Sequence, residues 1–283
     1  MQRLKRIDNK NTICIIGKGH SGTRLIGWYL YYSGVYIGNN FNEAADLLPF
    51  GHSIPIPLIN VSNIFGKQLK YLDNYSWDFS NSISHPITDS IINPLTNYLG
   101  SLIVPNTNGR IVAWKSPESV FVYPWLVKLL PNIKFVHWTR DPRDCASRGH
   151  GSDKLYRFSV PTGNMDIKSF YSFNRNLKGA INKIDNKFDF DLIDTKFLSW
   201  KYQWDIVKSI PKPKNYIRIK FEDFVLQKKE TIHRLESFLG IKLNIGRMNP
   251  NKIGIWKKYG AQIHYKHRPF LNDLLKETGY ENA

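Results

Sequence analysis

Glycines, hydroxyl residues and cations are concentrated in one octapeptide, GKGHSGTR, at residues 17–24. A short apolar run rich in β-branched residues precedes it at 12–16, and a longer apolar run follows at 23–33 and ends at Gly34. This pattern predicts a buried strand, a glycine-rich turn and a helix. Backbone N–H groups at such a turn and at the start of the helix bind anions, so the segment is a candidate phosphate-binding loop.

The loop departs from the Walker A pattern G-x-x-x-x-G-K-[ST]. Gly17 and Gly22 have the Walker spacing, but Thr23 and Arg24 occupy the positions of the lysine and of the magnesium-binding hydroxyl. Hydroxyl and cationic side chains that can still bind phosphate oxygens are those of Ser21, Thr23, Lys18, His20 and Arg24. The loop therefore fits a phosphate that needs no magnesium bridge, and an ordinary glycine turn is the alternative.

The elements that must position this loop follow from periodicity. Further strand signals occur at 111–114, 133–138 and 216–219, and helical patterns at 87–102, 119–130, 167 to about 184, 196–209 and 228–239. Strands that alternate with helices predict βαβ units and a parallel sheet. We therefore expect an α/β fold, a single domain over residues 1–283 in which helices flank a central parallel β-sheet.

The octapeptide resembles the 5′-phosphosulfate loop of sulfotransferases that use 3′-phosphoadenosine 5′-phosphosulfate (PAPS), usually written G-x-x-[RK]-[SG]-G-T-[TR]. Later segments resemble further signatures of this family, in the same order: FVHWTRDPRDCAS at 135–147, YIRIKFEDFV at 216–225 with RLESFLGI at 234–241, and KIGIWKK at 252–258. The resemblance spans residues 12–258. It implies the P-loop-like sulfotransferase fold and transfer of a sulfuryl group from PAPS to a hydroxyl or amine, which leaves 3′-phosphoadenosine 5′-phosphate (PAP).

The resemblance also implies which residues bind the cofactor. The residues that would bind the 5′-phosphosulfate are those of the loop, Gly17, Lys18, Gly19, His20, Ser21, Gly22, Thr23 and Arg24. Arg140 matches the arginine that binds the 3′-phosphate, and either Ser147 or Arg148 stands in for a serine of the family. Trp256 and Lys257 match a Gly-x-Trp-Lys segment near the cofactor, which would place Trp256 beside the adenine.

Catalysis of sulfuryl transfer requires charge stabilisation on the leaving oxygen and a base for the acceptor. His20 stands where the family has a basic residue at the leaving oxygen, and Lys115 follows a predicted strand into the same region. For the base, the family suggests a glutamate after the first helix, which is Glu43 here. Alternative bases are His52, His85 and Glu118.

The acceptor is a small molecule, a saccharide or a peptide on this evidence. Regions 35–81, expected to form loops and short helices, and 149–161 are expected to line its pocket, whereas the aromatic residues at 28–32 are expected in the core. Two rival functions remain. One is a P-loop kinase or nucleotidase, and the other is a catalytically degenerate member of the fold that only binds anions.

Composition limits the partners. The net charge is +17, but no run of five or six basic residues indicates a nucleic-acid partner. Without a signal peptide or an apolar stretch of 18 residues, we expect a soluble, cytoplasmic protein with no membrane span. The histidines and cysteines show no metal-ligand spacing, so no metal is expected, and Cys14 and Cys145 are expected to be buried free thiols.

Overall fold

A four-stranded parallel sheet forms the centre of the computed structural model, which describes residues 7–38, 41–46, 70–72, 76–78, 110–148, 192–258 and 269–282. The strands are β1 (Thr12–Gly17), β4 (Val112–Lys115), β5 (Lys134–Thr139) and β6 (Tyr216–Lys220), in the order β4-β1-β5-β6. The short strands β2 (Lys70–Leu72) and β3 (Ser76–Asp78) pair separately as an antiparallel hairpin. The parallel α/β sheet predicted from the sequence is confirmed.

Helices connect and flank the strands. They are α1 (Thr23–Tyr32), α2 (Tyr123–Leu129), α3 (Pro142–Ala146), α4 (Leu192–Lys208), α5 (Phe221–Val225), α6 (Lys229–Leu239) and α7 (Pro269–Thr278), with 3-10 turns at Pro117–Val122 and Pro250–Lys252. Among the described helices, none is long and apolar enough to cross a membrane.

The helices predicted at 23–33, 119–130, 196–209 and 228–239 are confirmed to within a few residues, except that 119–130 begins as a 3-10 turn. The helical patterns at 87–102 and 167–184 lie outside the described residues. The hairpin β2–β3 was not predicted within the region expected to hold loops and short helices, and α5 and α7 were not predicted either. Strands of three residues and a helix of five are too short to show a period.

Each face of the sheet packs against a different set of helices because side chains alternate along a strand. Ile13, Ile15 and Trp138 pack in one core with residues of α1, α5 and α6. On the other face the ring of Tyr123 packs edge-on against Phe135, with centroids 5.1 Å apart. The strand β1 is buried along its whole length between β4 and β5, as its unbroken apolar sequence predicts.

Both cysteines are free and buried, as expected. Burial raises the pKa of the Cys145 thiol to about 12, so the thiolate that reacts and binds metals is disfavoured there.

The glycine-rich loop packs closely against β5 and α5. An added Cβ at Gly17 would lie 2.3 Å from the carbonyl oxygen of Trp138, so β5 passes too close for any side chain. Gly22 caps α1 at φ 86°, and an added Cβ there would lie 2.5 Å from the Phe221 ring. At both positions a neighbouring group lies too close for a side chain, and at Gly22 the left-handed backbone also favours glycine.

Gly22→Ala and Gly34→Ala form a matched pair, because both glycines have positive φ (86° and 82°) but only Gly22 has a neighbour within 4 Å. Left-handed strain costs about 1–2 kcal/mol at either site, and overpacking against Phe221 adds about 1–3 kcal/mol at Gly22. Urea unfolding is expected to show a larger loss for Gly22→Ala. Equal losses would mean that the loop moves away from Phe221 at little cost.

Candidate functional site

A cavity of about 680 Å³ lies at the carboxyl edge of the sheet, where the strands β1, β4, β5 and β6 all end. Its walls come from the loop after β1, from α1, and from the residues that directly follow or end the other strands, Lys115, Arg140 and Phe221. Ligands of open parallel sheets bind at this edge, and the volume is that of a small-molecule site. The cavity is therefore the candidate active site.

The loop contributes most of its predicted residues to this cavity. Those that line it are Gly19, His20, Gly22, Thr23 and Arg24. His20 has a left-handed backbone, φ 66°, which is rare for a residue with a Cβ and points to strain at the site. The Ser21 hydroxyl is buried and has no hydrogen-bond partner among the described residues. Ser21 is not itself among the residues that line the cavity, but its neighbours His20 and Gly22 are, and an unpaired buried hydroxyl at this point can donate to an anionic ligand.

Lys18 lies elsewhere. Its side chain is buried and lines a small second cavity with His137 and Trp204, on the side of the sheet that faces α4. The lysine of the loop is thus not among the residues that line the main cavity.

Arg140 connects three segments around the cavity. Its guanidinium donates to the Asp144 carboxylate at 3.0 and 3.3 Å, to the His20 carbonyl at 3.4 Å, and to the Lys252 carbonyl. It also lies 4.5 Å from the centre of the Phe221 ring. These contacts use four of the five N–H donors of the arginine. The orientation of Arg140 is therefore fixed, and its positive charge faces the cavity that it lines.

Asp144 holds the segment that follows residue 249. Its carboxylate accepts from the backbone N–H of Gly254 and of Trp256, both at 3.0 Å, and it is fully buried. Through these bonds the 3-10 turn Pro250–Lys252 is held beside the cavity, and Lys252 lines it. Sequence reasoning did not give Asp144 a role, although it lies four residues after Arg140, the spacing of facing residues on a helix.

The other cofactor candidates lie around this connection. Arg148 is exposed and lines the cavity, whereas the Ser147 hydroxyl donates to the Asp144 carbonyl at 2.8 Å and does not line it. Trp256 packs against Arg143, whose guanidinium carbon is 4.1 Å from the ring centre, and Lys257 is exposed. Neither Trp256 nor Lys257 is among the residues that line the cavity.

Asp141 and Arg143 form a buried ion pair. Their closest contact is 2.6 Å, and Arg143 also donates to the carbonyl of Tyr280 at 2.8 Å. The backbone N–H of Asp141 donates to Glu222 Oε1 at 2.9 Å. Burial raises the pKa of Glu222 to about 7, although the hydrogen bond from Asp141 opposes the shift. These contacts come from Glu222 in α5 and from Tyr280, which follows α7, so local sequence could not indicate that the pair is buried.

Lys115 and Asp46 form an ion pair of 2.5 Å inside the cavity. The Asn42 side chain shapes the loop that carries Asp46, because it accepts from the backbone N–H groups of Ala44 and Asp46 at 2.8 and 2.9 Å. Glu43 lies on the exposed side of this turn and is not among the residues that line the cavity. The turn therefore presents the aspartate, three residues after the glutamate, to Lys115.

Aromatic side chains of α1 form one wall of the cavity. Trp28, Tyr29 and Tyr32 line it, and Tyr32 is 61% exposed. The expectation that the aromatic residues at 28–32 belong to the core is therefore wrong for Tyr31 and Tyr32, which are exposed, and only partly right for Trp28 and Tyr29, which are half-buried. Arg24, Trp28 and Tyr32 are spaced by four residues, the one sequence signal that places them on a common helix face.

The remaining candidates belong to parts of the chain that the structure does not describe. His52, His85 and the stretch 149–161 lie outside the described residues, as do most of 35–81 and the side chain of Glu118. Within the described ranges, no group of three or more histidine, cysteine, aspartate or glutamate side chains could hold a metal ion.

Comparisons with known proteins agree with the fold. A family model described as "Sulfotransferase family" matches residues 73–244, more than half of the chain. The sulfotransferase domain of the Synechococcus PCC 7002 olefin synthase is 14% identical, with 97% of each chain covered and a TM-score of 0.50. The sulfotransferase domain from the curacin biosynthetic pathway is 15% identical, with 95% of this chain and 97% of that chain covered and a TM-score of 0.51. At these identities the structures support the fold alone. Comparison with curated proteins gives no match.

Glu222→Gln is expected to change how stability depends on pH. The folded pKa of Glu222, about 7, exceeds its ordinary value of 4.5, so the folded protein binds the extra proton between these values. The stabilisation is complete below about pH 4.5 and is lost as the pH rises to about 7. The variant should therefore gain stability relative to the parent across this window, as measured by urea unfolding at several pH values.

Glu230→Gln makes the same chemical change at an exposed position of α6 and serves as the control. Parallel pH profiles for the parent and Glu222→Gln would show that folding does not raise the pKa of Glu222.

Proposed function

Since the chain belongs to the sulfotransferase family, we propose that it transfers the sulfuryl group of PAPS to a hydroxyl or amine of a small acceptor. The observation that carries this proposal is the shared cavity. The glycine-rich loop, the Lys115–Asp46 pair and Arg140 lie in different parts of the sequence, and all of them line it.

The lining of the cavity fits a polyanionic nucleotide. Among the described lining residues, five are lysine or arginine and only Asp46 is a carboxylate; the cations are Arg24, Lys115, Arg140, Arg148 and Lys252. The buried Ser21 hydroxyl and the backbone at Gly19 and Gly22 supply donors where a phosphate would approach the helix start. We assign the 5′-phosphosulfate to this loop with His20, Thr23 and Arg24.

The 3′-phosphate would bind at Arg140, Arg148 and Lys252, which line the same cavity. Arg140 provides a fixed charge because most of its donors are already used, whereas exposed Arg148 is free to orient its planar fork toward a phosphate. Trp256 and Lys257 would act through the segment that Asp144 holds, since they do not line the cavity.

We assign the acceptor base to Asp46 in place of Glu43. PAPS supplies a sulfuryl group with a phosphate leaving group, so the protein must position the acceptor, remove its proton and stabilise charge on the leaving oxygen. Asp46 lies inside the cavity with its carboxylate oriented by Lys115 at 2.5 Å, and Glu43 does not line the cavity. Lys115 and His20 are the cations that could stabilise the leaving oxygen.

The geometry disfavours a kinase. Thr23 takes the place of the Walker lysine, and Lys18, the lysine of this loop, lines the other cavity. Among the described residues, the cavity offers only Asp46 as a carboxylate ligand for magnesium, and Lys115 is paired with it.

Thermal unfolding with PAP, with magnesium-ATP and with ADP tests the cofactor class. At about one hundred times its dissociation constant, PAP should stabilise the protein by roughly 2.7 kcal/mol and shift the midpoint by several degrees. Arg148→Ala should reduce this shift, whereas Arg234→Ala removes the same charge from an exposed position of α6 and should leave it unchanged. A shift with magnesium-ATP alone would contradict the proposal and support a P-loop kinase.

Asp46→Asn tests the base. Its turnover with labelled PAPS should fall by about 10²–10⁴-fold, because general base catalysis is lost, while the PAP-induced thermal shift remains. Glu43→Gln is the matched comparison on the same turn and should retain turnover. The reverse result would assign the base to Glu43. A parent protein that binds PAP but transfers nothing to any acceptor would be a degenerate, anion-binding member of the fold.

A further inference from the structure

We propose that Trp28 and Tyr32 of α1 bind the acceptor, and that the acceptor is a hydroxyl compound with a flat, apolar ring system, neither a saccharide nor a peptide. This inference rests on the proposed sulfuryl transfer, since it names the substrate class of the same cavity. The observation behind it is an aromatic cluster at the cavity wall, which we define as Trp28, Tyr31, Tyr32 and Phe41.

The cluster is ordered along the helix. Arg24, Trp28 and Tyr32 all line the cavity at intervals of four residues. With a rise of about 1.5 Å per residue, Trp28 lies about 6 Å and Tyr32 about 12 Å along α1 from Arg24. The cavity wall therefore changes from cationic, beside the glycine-rich loop, to aromatic further along the helix.

The rings support one another. Trp28 and Tyr32 are stacked, with centroids 5.8 Å apart and planes 24° from parallel. Tyr31 and Phe41 contact Trp28 edge-on at 5.7 and 5.6 Å. The Trp28 indole N–H donates to the Glu43 carbonyl at 3.1 Å, which fixes the ring and occupies its one donor. The wall is thus held in place and offers chiefly apolar ring surface.

The reactive end of the acceptor is set by the Lys115–Asp46 pair. An added Cβ at Gly27 would lie 2.8 Å from Cβ of Ala45 and 3.7 Å from Cε of Lys115, so the pair lies beside Gly27, one residue before Trp28. If the acceptor hydroxyl contacts Asp46, the rest of the acceptor would lie along Trp28 and toward Tyr32. That path is about 7–8 Å long, the length of one to two aromatic rings.

The chemistry of the wall selects the class of acceptor. Saccharide hydroxyls and peptide amides need hydrogen-bond partners when they are bound, or their desolvation is uncompensated. Along the aromatic part of α1, the described lining residues offer only two side-chain hydroxyls, that of Tyr29, which donates to the Gly246 carbonyl at 3.4 Å, and that of Tyr32. Flat rings, by contrast, gain from stacking on aromatic side chains and from burial of apolar area.

Phenol, 4-phenylphenol and glucose are suitable probes of this wall. With PAPS as donor, 4-phenylphenol should exceed phenol in kcat/KM by about tenfold, because its second ring reaches Tyr32, and glucose should give no measurable transfer. Binding of 4-phenylphenol in the presence of PAP, measured by equilibrium dialysis, gives a readout that needs no turnover.

Tyr32→Ala should abolish the advantage of 4-phenylphenol over phenol in both measurements, while Tyr32→Phe should keep it because only the ring is needed. Tyr31→Ala is the graded comparison: Tyr31 contacts Trp28 but does not line the cavity, so its removal should reduce the advantage less than Tyr32→Ala does. All three variants should retain the PAP-induced thermal shift.

Two results would overturn the inference while the proposed function stands: PAP binding together with transfer to glucose in preference to the phenols, or equal effects of Tyr31→Ala and Tyr32→Ala on 4-phenylphenol. Failure of 4-phenylphenol to bind a protein that does bind PAP would also overturn it. Absence of a PAP-induced shift would reject the proposed function, and this inference with it.

Discussion

The carboxylate of Asp144 accepts hydrogen bonds from the Arg140 guanidinium and from the backbone N–H groups of Gly254 and Trp256. It is fully buried, so these bonds must compensate the desolvation of its charge. Arg140 in turn donates to the carbonyls of His20 and Lys252. One carboxylate thus determines how the glycine-rich loop, the turn after β5 and the late segment at 250–258 meet around a single cavity.

The surrounding charges are arranged on the same principle. Asp141 and Arg143 are buried as an ion pair, and Arg143 also donates to the carbonyl of Tyr280. Glu222 is buried beside them: its Oε1 accepts from the backbone N–H of Asp141, whereas its Oε2 has no hydrogen-bond partner among the described residues. Burial keeps the pKa of Glu222 near 7, which lowers the negative charge beside Arg140 at acidic pH. Arg140, which does line the cavity, is fixed by its contacts, so a bound anion would not need to reorganise it, which favours tight binding and charge stabilisation.

The cavity divides along α1 into a cationic part, which we assign to the nucleotide, and an aromatic part, which we assign to the acceptor. Gly22 permits the loop to pack on Phe221, and Gly27 permits the turn with Ala45 and Asp46 to approach the helix. These two close approaches bring the Lys115–Asp46 pair between the two parts. Family membership, the buried loop hydroxyl and this division together support a sulfotransferase whose acceptor is recognised by ring stacking.

Much of this protein was determined by local sequence: the strands β1, β4, β5 and β6, the loop at 17–24, the helices α1, α4 and α6, and Arg140 as a residue at the site edge. Buried strands and amphipathic helices leave a period or an apolar run in the sequence, and a glycine-rich turn after a strand is readable in the same way. Tertiary structure decided which carboxylate faces Lys115, that Asp144 joins three segments, and that Tyr32 borders the cavity while Lys18 does not. These outcomes depend on contacts between residues far apart in the chain, such as Asp144 and Gly254, which are 110 positions apart, and no local pattern encodes them.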